Sequence, residues 1–435
     1  MQTNKKQIYP IKSSKAGAKQ LNGVYLDYAA STPIDQSVLR AMLPYFREEY
    51  GNPSSIHGFG QRALAAIDEA REKVAAFLGS VPSEVIFTGS ATEANNLAIQ
   101  GVVRSSQSAV NGAPHIITSQ IEHDSVLEVC RQLEKEGVEA TYLPVTKEGL
   151  VLASDLEKAL KHNTILVSIM YANNEIGTIQ PIAETANIIK NENTKRHTLS
   201  AKHPRIIFHT DAVQAANYLN CNIDKLGVDL LTLSAHKIYG PKGVGALYIR
   251  KGTVLRPLIS GGGQEFNLRP GTENVAGIVG FGAAITQVTR LRQGYGGQAG
   301  NKLPAFAKAA AGKQVTGITS LRDMLINKML KNIPRARLNG SAEIRLANNA
   351  NFCFPGVDAE SLIIALDQKG IAVSSGSACS TRAIKPSHVL RAIGLSDKDA
   401  RSSVRFSLGR YSTAAEINYL MEILPSAVKN IKTLS

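Results

Sequence analysis

Cys379 stands in Val373-Ser374-Ser375-Gly376-Ser377-Ala378-Cys379-Ser380, a run of small residues just after an apolar segment. Such a run has too little apolar surface to pack as core, so it predicts an exposed, mobile loop. A lone cysteine on a polar loop, in a chain without disulfide spacing, is a candidate nucleophile. The competing reading is a turn that happens to hold a cysteine, since free cysteines mostly serve as small core hydrophobes. Far upstream, Ser234-Ala235-His236-Lys237 puts a lysine straight after a strand-like run. Shielded from bulk water, that lysine loses part of its preference for charge and becomes a usable amine. An aldehyde cofactor needs such an amine for a Schiff base. Ser234 and His236 supply donors beside it for a phosphate. Lys242, in the turn Gly240-Pro241-Lys242-Gly243, is the rival amine. By itself, a lysine after a strand is most often a surface lysine.

Asp211 ends another strand-like run, in Phe208-His209-Thr210-Asp211-Ala212-Val213-Gln214. A pyridine ring needs an anionic partner to stay protonated and act as an electron sink. Gln214 lies near enough to reach the same ligand. A helix N-cap aspartate would look the same, and the two roles are compatible. Thr88-Gly89-Ser90-Ala91-Thr92-Glu93-Ala94-Asn95-Asn96 reads as strand end, turn and helix start, and so as a phosphate cradle of backbone N–H groups or as a plain capping turn. His123, in Glu122-His123-Asp124-Ser125, suits stacking on an aromatic cofactor or shuttling a proton, although lone histidines are more often structural. Asn173-Asn174-Glu175-Ile176-Gly177 adds a polar cluster after one more strand. Together these give amine, pyridinium partner, phosphate cradle, stacking group and ring-hydroxyl donor. That constellation points to pyridoxal phosphate.

The elements that must position them are short Ile/Val/Leu-rich runs: Glu84–Thr88, His115–Ser119, Ile165–Met170, Arg205–His209, Asp229–Leu233 and Gly245–Ile249. Their weak alternation suits strands buried on both faces. Stretches of helical spacing, such as Thr92–Gly101 and Ser125–Glu136, lie between them. Repeated β–α units predict an α/β fold with a mainly parallel, doubly wound sheet. Ligands of such sheets sit beyond the carboxyl ends of the strands, where every motif residue above falls.

At 435 residues the chain is too long for one core. The pattern predicts a basic, disordered N-terminal arm (1–23), a large cofactor domain (24–285) and a smaller C-terminal α/β domain (286–435). Residues 293–313, rich in Gly, Gln and Ala, read as a mobile insertion dispensable for chemistry. Hydrophobic content of 43% with 19% charged residues is that of a soluble globular protein. The net charge of +14 comes wholly from the arm, with five lysines in residues 1–20, and from 286–337, with ten basic residues against Asp323. The motifs therefore lie in a neutral chain, which argues against specific nucleic-acid binding and leaves a solvated face or an acidic protein partner. The four cysteines are widely separated, so neither a disulfide scaffold nor a zinc site is indicated and a reducing cytoplasm fits. No apolar run approaches a membrane span, and the N-terminus lacks a secretory h-region.

The chain resembles group I cysteine desulfurases, fold-type I pyridoxal-phosphate enzymes that feed iron–sulfur cluster assembly and related sulfur-transfer pathways. The resemblance runs from about Val24 to Ile431. It is carried by Tyr25–Ala30, Gly51-Asn52-Pro53, Asn173–Gly177, Ser234–Gly243, Arg269-Pro270-Gly271-Thr272, Ser374–Ser380 and Arg405–Arg410. It implies that Lys237 binds pyridoxal 5'-phosphate covalently and that His123 stacks on the ring and takes part in proton transfer. It implies Asp211 at the pyridine nitrogen, and Gln214 and Asn174 near the ring hydroxyl. Ala91, Thr92, Ser234 and His236 would hold the phosphate, with Thr272 reaching in from the other subunit of a homodimer. Arg405, with Asn174, would bind the carboxylate of L-cysteine, and Cys379 would accept the sulfur. The persulfide would pass to an acceptor protein, either an iron–sulfur scaffold or a tRNA-thiolation carrier. Thr88-Gly89-Ser90 departs from the family's usual Ser-Gly order, and the 293–313 insertion falls where relatives have helix. A selenocysteine lyase or an aminotransferase of the same fold would share the constellation, and an aminotransferase would not need Cys379. A non-catalytic paralogue is the remaining alternative, opposed by the intact Lys237, Asp211, His123 and Cys379.

Overall fold

Apolar side chains that alternate along each central strand divide between two faces, and this builds the larger part of the molecule. The computed structural model describes residues 23–106, 112–199, 204–293, 313–376 and 386–434. Its twelve strands are β1 (Val24–Tyr25), β2 (Val85–Thr88), β3 (His115–Ser119), β4 (Glu139–Leu143), β5 (Thr164–Ser168), β6 (Ile207–Asp211), β7 (Leu230–Ser234), β8 (Gly245–Ile249), β9 (Arg337–Leu338), β10 (Asn349–Cys353), β11 (Ile371–Ala372) and β12 (Ser403–Ser407). Seven form the main sheet in the order β2-β8-β7-β6-β5-β3-β4. Only β8 runs antiparallel to its neighbours, so the mainly parallel expectation holds with one reversed strand.

Phe87, Ile117, Val167, Phe208 and Leu231 face one core, shared with the helices Gly58–Leu78 and Val275–Gln293. Ile86, Ile116, Leu166, Leu230 and Leu247 face the other, under Ala91–Ser106 and Asp124–Lys135. Covering both faces leaves the carboxyl ends of the parallel strands as the open edge.

A second sheet, β12-β10-β9, is antiparallel. The helix Ala414–Leu434 packs beside it with Ala359–Asp367 and Lys313–Asn332. β1 pairs in parallel with β11, so the chain enters the structure beside its C-terminal third. Asp27 then bridges to Ser407 and Ser374 to Arg405, which brings the first and last motifs together. The helix Val275–Gln293 runs unbroken through residues 285 and 286. Most of the 1–23 arm (1–22), most of the insertion (294–312) and Cys379 lie outside the described residues.

The loop carrying Arg269–Thr272 is anchored by a buried ion pair. Arg71 gives two bonds of 2.7 Å to Glu265, which also accepts from Phe87 N at 2.8 Å. Glu265, Phe266 and Asn267 all hold left-handed backbone (φ 45, 56 and 64°), a conformation that persists only where surroundings enforce it. Glu265→Ala leaves the guanidinium buried and unpaired, and is expected to lower stability by about 3–5 kcal/mol. Denaturant unfolding checks this, and a loss below about 1 kcal/mol would show that the pair does not hold the loop.

Candidate active site

Along the open edge, five strand ends and two entering loops enclose a cavity of about 390 Å³. Lys237 follows β7 in a single 3₁₀ turn, Ala235–Lys237, which swings its side chain over the edge. Its Nζ donates to the carbonyls of Ala29 and Ala30, both at 2.7 Å. Lys242 lines the same cavity but is exposed.

Asp211, the last residue of β6, is nearly buried. One carboxylate oxygen accepts from Val213 N at 3.0 Å, the other from Asn95 Nδ2 at 2.8 Å. Gln214 donates to the Ala29 carbonyl at 3.0 Å, from the same wall. His123 caps the helix Asp124–Lys135, with Nδ1 accepting from Ser125 N at 3.1 Å.

Ser90, Ala91 and Thr92 open the helix Ala91–Ser106 at the cavity wall, and Ser90 Oγ accepts from Glu93 N at 3.1 Å. The turn can sit there because β8 begins with Gly245. A Cβ on Gly245 would come within 2.6 Å of Ser90 C and 2.8 Å of Ala91 N. Ser234 and His236 line the cavity too. Burial first, then the charges of Lys237 and Lys242, pulls His236 down to about 4, so it is a neutral imidazole at pH 7.

Arg405 reaches the cavity from β12. It donates to Asp27 Oδ1 at 2.7 Å and to the Asn174 carbonyl at 2.9 Å, while its buried Nε has no hydrogen-bond partner. Gly376, which begins the cysteine loop, lines the cavity beside it. The structure thus gathers all the expected site residues except two. Cys379 lies outside the described residues, and Thr272 is exposed and does not line its own chain's cavity.

Three contributors escaped the sequence reading. Asn95 and Ser125 join the Asp211 and His123 sites, as detailed below. Glu122 is wholly buried and ties the ends of β3 and β5, accepting from Ser119 Oγ at 2.6 Å and Met170 N at 2.9 Å. Burial pushes its carboxyl up to about 8, against the pull of those donors. A signal existed for Asn95: it shares the apolar helix face of Ala98 and Val102, where an amide must find buried partners.

A lysine and an aspartate on adjacent strand ends of such a sheet, with an arginine from the second sheet at the same cavity, fit the fold-type I group. The chain belongs to the class-V aminotransferase family, matched over residues 24–294 and 306–420, and is a group I cysteine desulfurase. It is 49% identical over 412 residues to the cysteine desulfurase IscS of Dictyoglomus turgidum, across 95% of this chain and 96% of that one. To the IscS of Methanosarcina thermophila it is 44% identical, across 95% and 93%. A NifS-like protein of solved structure superposes with a TM-score of 0.81 at 36% identity, over 94% of this chain and all 100% of that one. SspA in complex with cysteine superposes at 0.72 and 36%, over 90% and 100%.

Proposed function

We propose that the protein converts L-cysteine to L-alanine with pyridoxal 5'-phosphate held on Lys237. Its sulfur passes, as a persulfide on Cys379, to an acceptor protein for iron–sulfur cluster assembly or tRNA thiolation. The observation that supports this most is the single cavity lined by Lys237, Asp211, His123 and Arg405 in a chain of the desulfurase family. Its donor set fits the cofactor. A carboxylate is fixed by two donors for the ring nitrogen, and a helix start with a neutral His236 and Ser234 faces a phosphate. The Lys237 amine lines the same cavity.

When bound, pyridoxal phosphate supplies an aldehyde to capture the substrate amine and a pyridinium ring to accept its electrons. The chain does the rest. Asp211 accepts the ring N–H. Gln214 and Asn174 flank the ring hydroxyl. Arg405 already spends two donors on Asp27 and Asn174, so it stands rigid at the cavity wall, where its charge would draw the substrate carboxylate. Lys237 Nζ takes the Cα proton. The Cys379 thiolate attacks the substrate sulfur and the Cβ–S bond breaks. The electron pair stays on Cβ, which takes a proton and becomes the methyl group of alanine, and Cα regains the proton that Lys237 removed.

Purified protein with pyridoxal phosphate and L-cysteine should release alanine and sulfide in equal amounts under a reductant. Alanine without sulfide, or activity on selenocysteine alone, would refute the reading. The buried thiols of Cys130 and Cys353 support a cytoplasmic setting. Among the described residues no helix is long and apolar enough to cross a membrane.

The homodimer is part of the same proposal. Thr272 is exposed, on a loop that Arg269 ties to Glu93 at 3.0 Å. Exposed apolar side chains include Phe46, Tyr50, Ile56, Val254, Ile259 and Phe266, surface that a partner copy would cover. A threonine hydroxyl on phosphate is a charge-assisted bond, so Thr272→Ala should weaken cofactor retention by about 10- to 100-fold. Mixing Thr272→Ala with Lys237→Ala chains should restore activity, because one site of each mixed dimer carries neither lesion. An active monomer in sedimentation, or no recovery on mixing, would sink the shared site.

A further inference from the structure

Two residues with no assigned part in the chemistry connect the Asp211 carboxylate to His123. Asn95 is fully buried, on the sheet-facing side of the helix Ala91–Ser106. Its Nδ2 donates to Asp211 Oδ2 at 2.8 Å and to Ser125 Oγ at 2.8 Å. Ser125 Oγ lies 2.9 Å from His123 Nδ1, and Ser125 N donates to the same nitrogen at 3.1 Å. Asn95 Oδ1 is buried without a hydrogen-bond partner.

The direction of every bond in this chain is forced. An amide nitrogen and a backbone N–H only donate, and a carboxylate only accepts. Ser125 Oγ therefore takes its bond from Asn95 and gives its own proton to His123 Nδ1. That nitrogen accepts twice, so the neutral imidazole carries its proton on Nε2. Turning the Asn95 amide over would set Oδ1 against the Asp211 carboxylate. The partnerless Oδ1 marks what this orientation costs, since buried polar groups are otherwise almost always bonded.

We propose that Asn95 and Ser125 are positioning residues. They form a relay that holds the Asp211 carboxylate in place and fixes His123 in the Nε2–H tautomer. Nε2 then carries the ring N–H and can only donate, while Ser125 holds the lone pair of Nδ1. The inference rests on the reading of this cavity as the pyridoxal-phosphate site. The tautomer itself is a property of the chain with or without the cofactor.

The test uses the full chain without cofactor, labelled with ¹⁵N-histidine. There are nine histidines, and His123→Asn identifies the signal. The parent and Ser125→Thr should show one tautomer, protonated on Nε2. In Ser125→Ala, which deletes only the hydroxyl, the ratio of Nε2–H to Nδ1–H should fall about five- to tenfold, the worth of one net hydrogen bond. Reloaded with cofactor, that variant should lose about five- to tenfold in kcat with KM for cysteine within about twofold, because the relay acts on proton transfer and not on the carboxylate clamp. Asn95→Ala should do the same and also weaken pyridoxal-phosphate affinity about tenfold, because Asp211 loses a donor. Should Asn95→Ala fail to fold, Ser125→Ala decides alone. An unchanged tautomer ratio in Ser125→Ala overturns the relay, even where the cofactor binds normally. Failure of the cofactor reading shows separately, as a parent with no visible absorbance band after pyridoxal phosphate is added.

Discussion

Cys379→Ala is expected to stop sulfide and alanine release from L-cysteine by at least about 10³-fold, with the visible absorbance of the bound cofactor unchanged. The sulfur must leave carbon for a nucleophile, and no other described thiol can serve. Cys130, Cys221 and Cys353 are all buried, and burial pushes the Cys130 thiol up to about 12 and raises Cys353 as well. Gly376, three residues before Cys379 in the sequence, lines the cavity. The stem leading to Gly376 is fixed, since Ser374 exchanges backbone bonds of 2.6 and 3.3 Å with Arg405, the proposed carboxylate clamp. A thiol-reactive probe on the native protein should therefore mark Cys379 well ahead of the other three. Consumption of L-cysteine by Cys379→Ala with a keto acid formed in place of alanine and sulfide would mean transamination, the competing chemistry of this fold.

The sequence carried most of the sheet because buried strands must be apolar on both faces. His115–Ser119 and Gly245–Ile249 fall where their composition places them. The edge strand β4 did not announce itself. In Glu139-Ala140-Thr141-Tyr142-Leu143 only Leu143 is buried, so no apolar run exists to read. The reversal of β8 is likewise silent in composition. It follows from length, because the ten residues between β7 and β8 are too few for a crossover helix and its turns.

The site divides the same way. Lys237, Asp211 and the Ala91–Thr92 turn each follow a strand, so one β–α unit at a time reveals them. Asn95 and Ser125 meet 30 positions apart, where two helix starts converge, and Asp27 meets Arg405 across 378 positions. Such pairs exist only once the sheet order is known, and sequence spacing does not encode that order.

Lys237→Ala is expected to lower desulfuration by about 10⁴-fold and to abolish covalent retention of the cofactor, with Lys242→Ala within about threefold of the parent. Both lysines line the cavity, so position alone does not separate them. Environment does. Lys242 is exposed in its turn and stays hydrated, whereas Lys237 is half-buried with Nζ on two backbone carbonyls at 2.7 Å. Those carbonyls, Ala29 and Ala30, stand on the loop that starts from Asp27, the partner of Arg405. The amine is thus held by the segment that also orients Arg405, the proposed carboxylate clamp, and in the proposed reaction it moves only from the carbonyls to the substrate. The cofactor's other anchors, Asp211 and the Ala91–Thr92 turn, remain in Lys237→Ala. It should therefore still bind pyridoxal phosphate, in a form that dialysis removes. Borohydride reduction of the parent followed by peptide mapping should place the label on Lys237. Label on Lys242, or a Lys237→Ala protein that still holds cofactor after reduction and denaturation, would assign the amine to the wrong lysine.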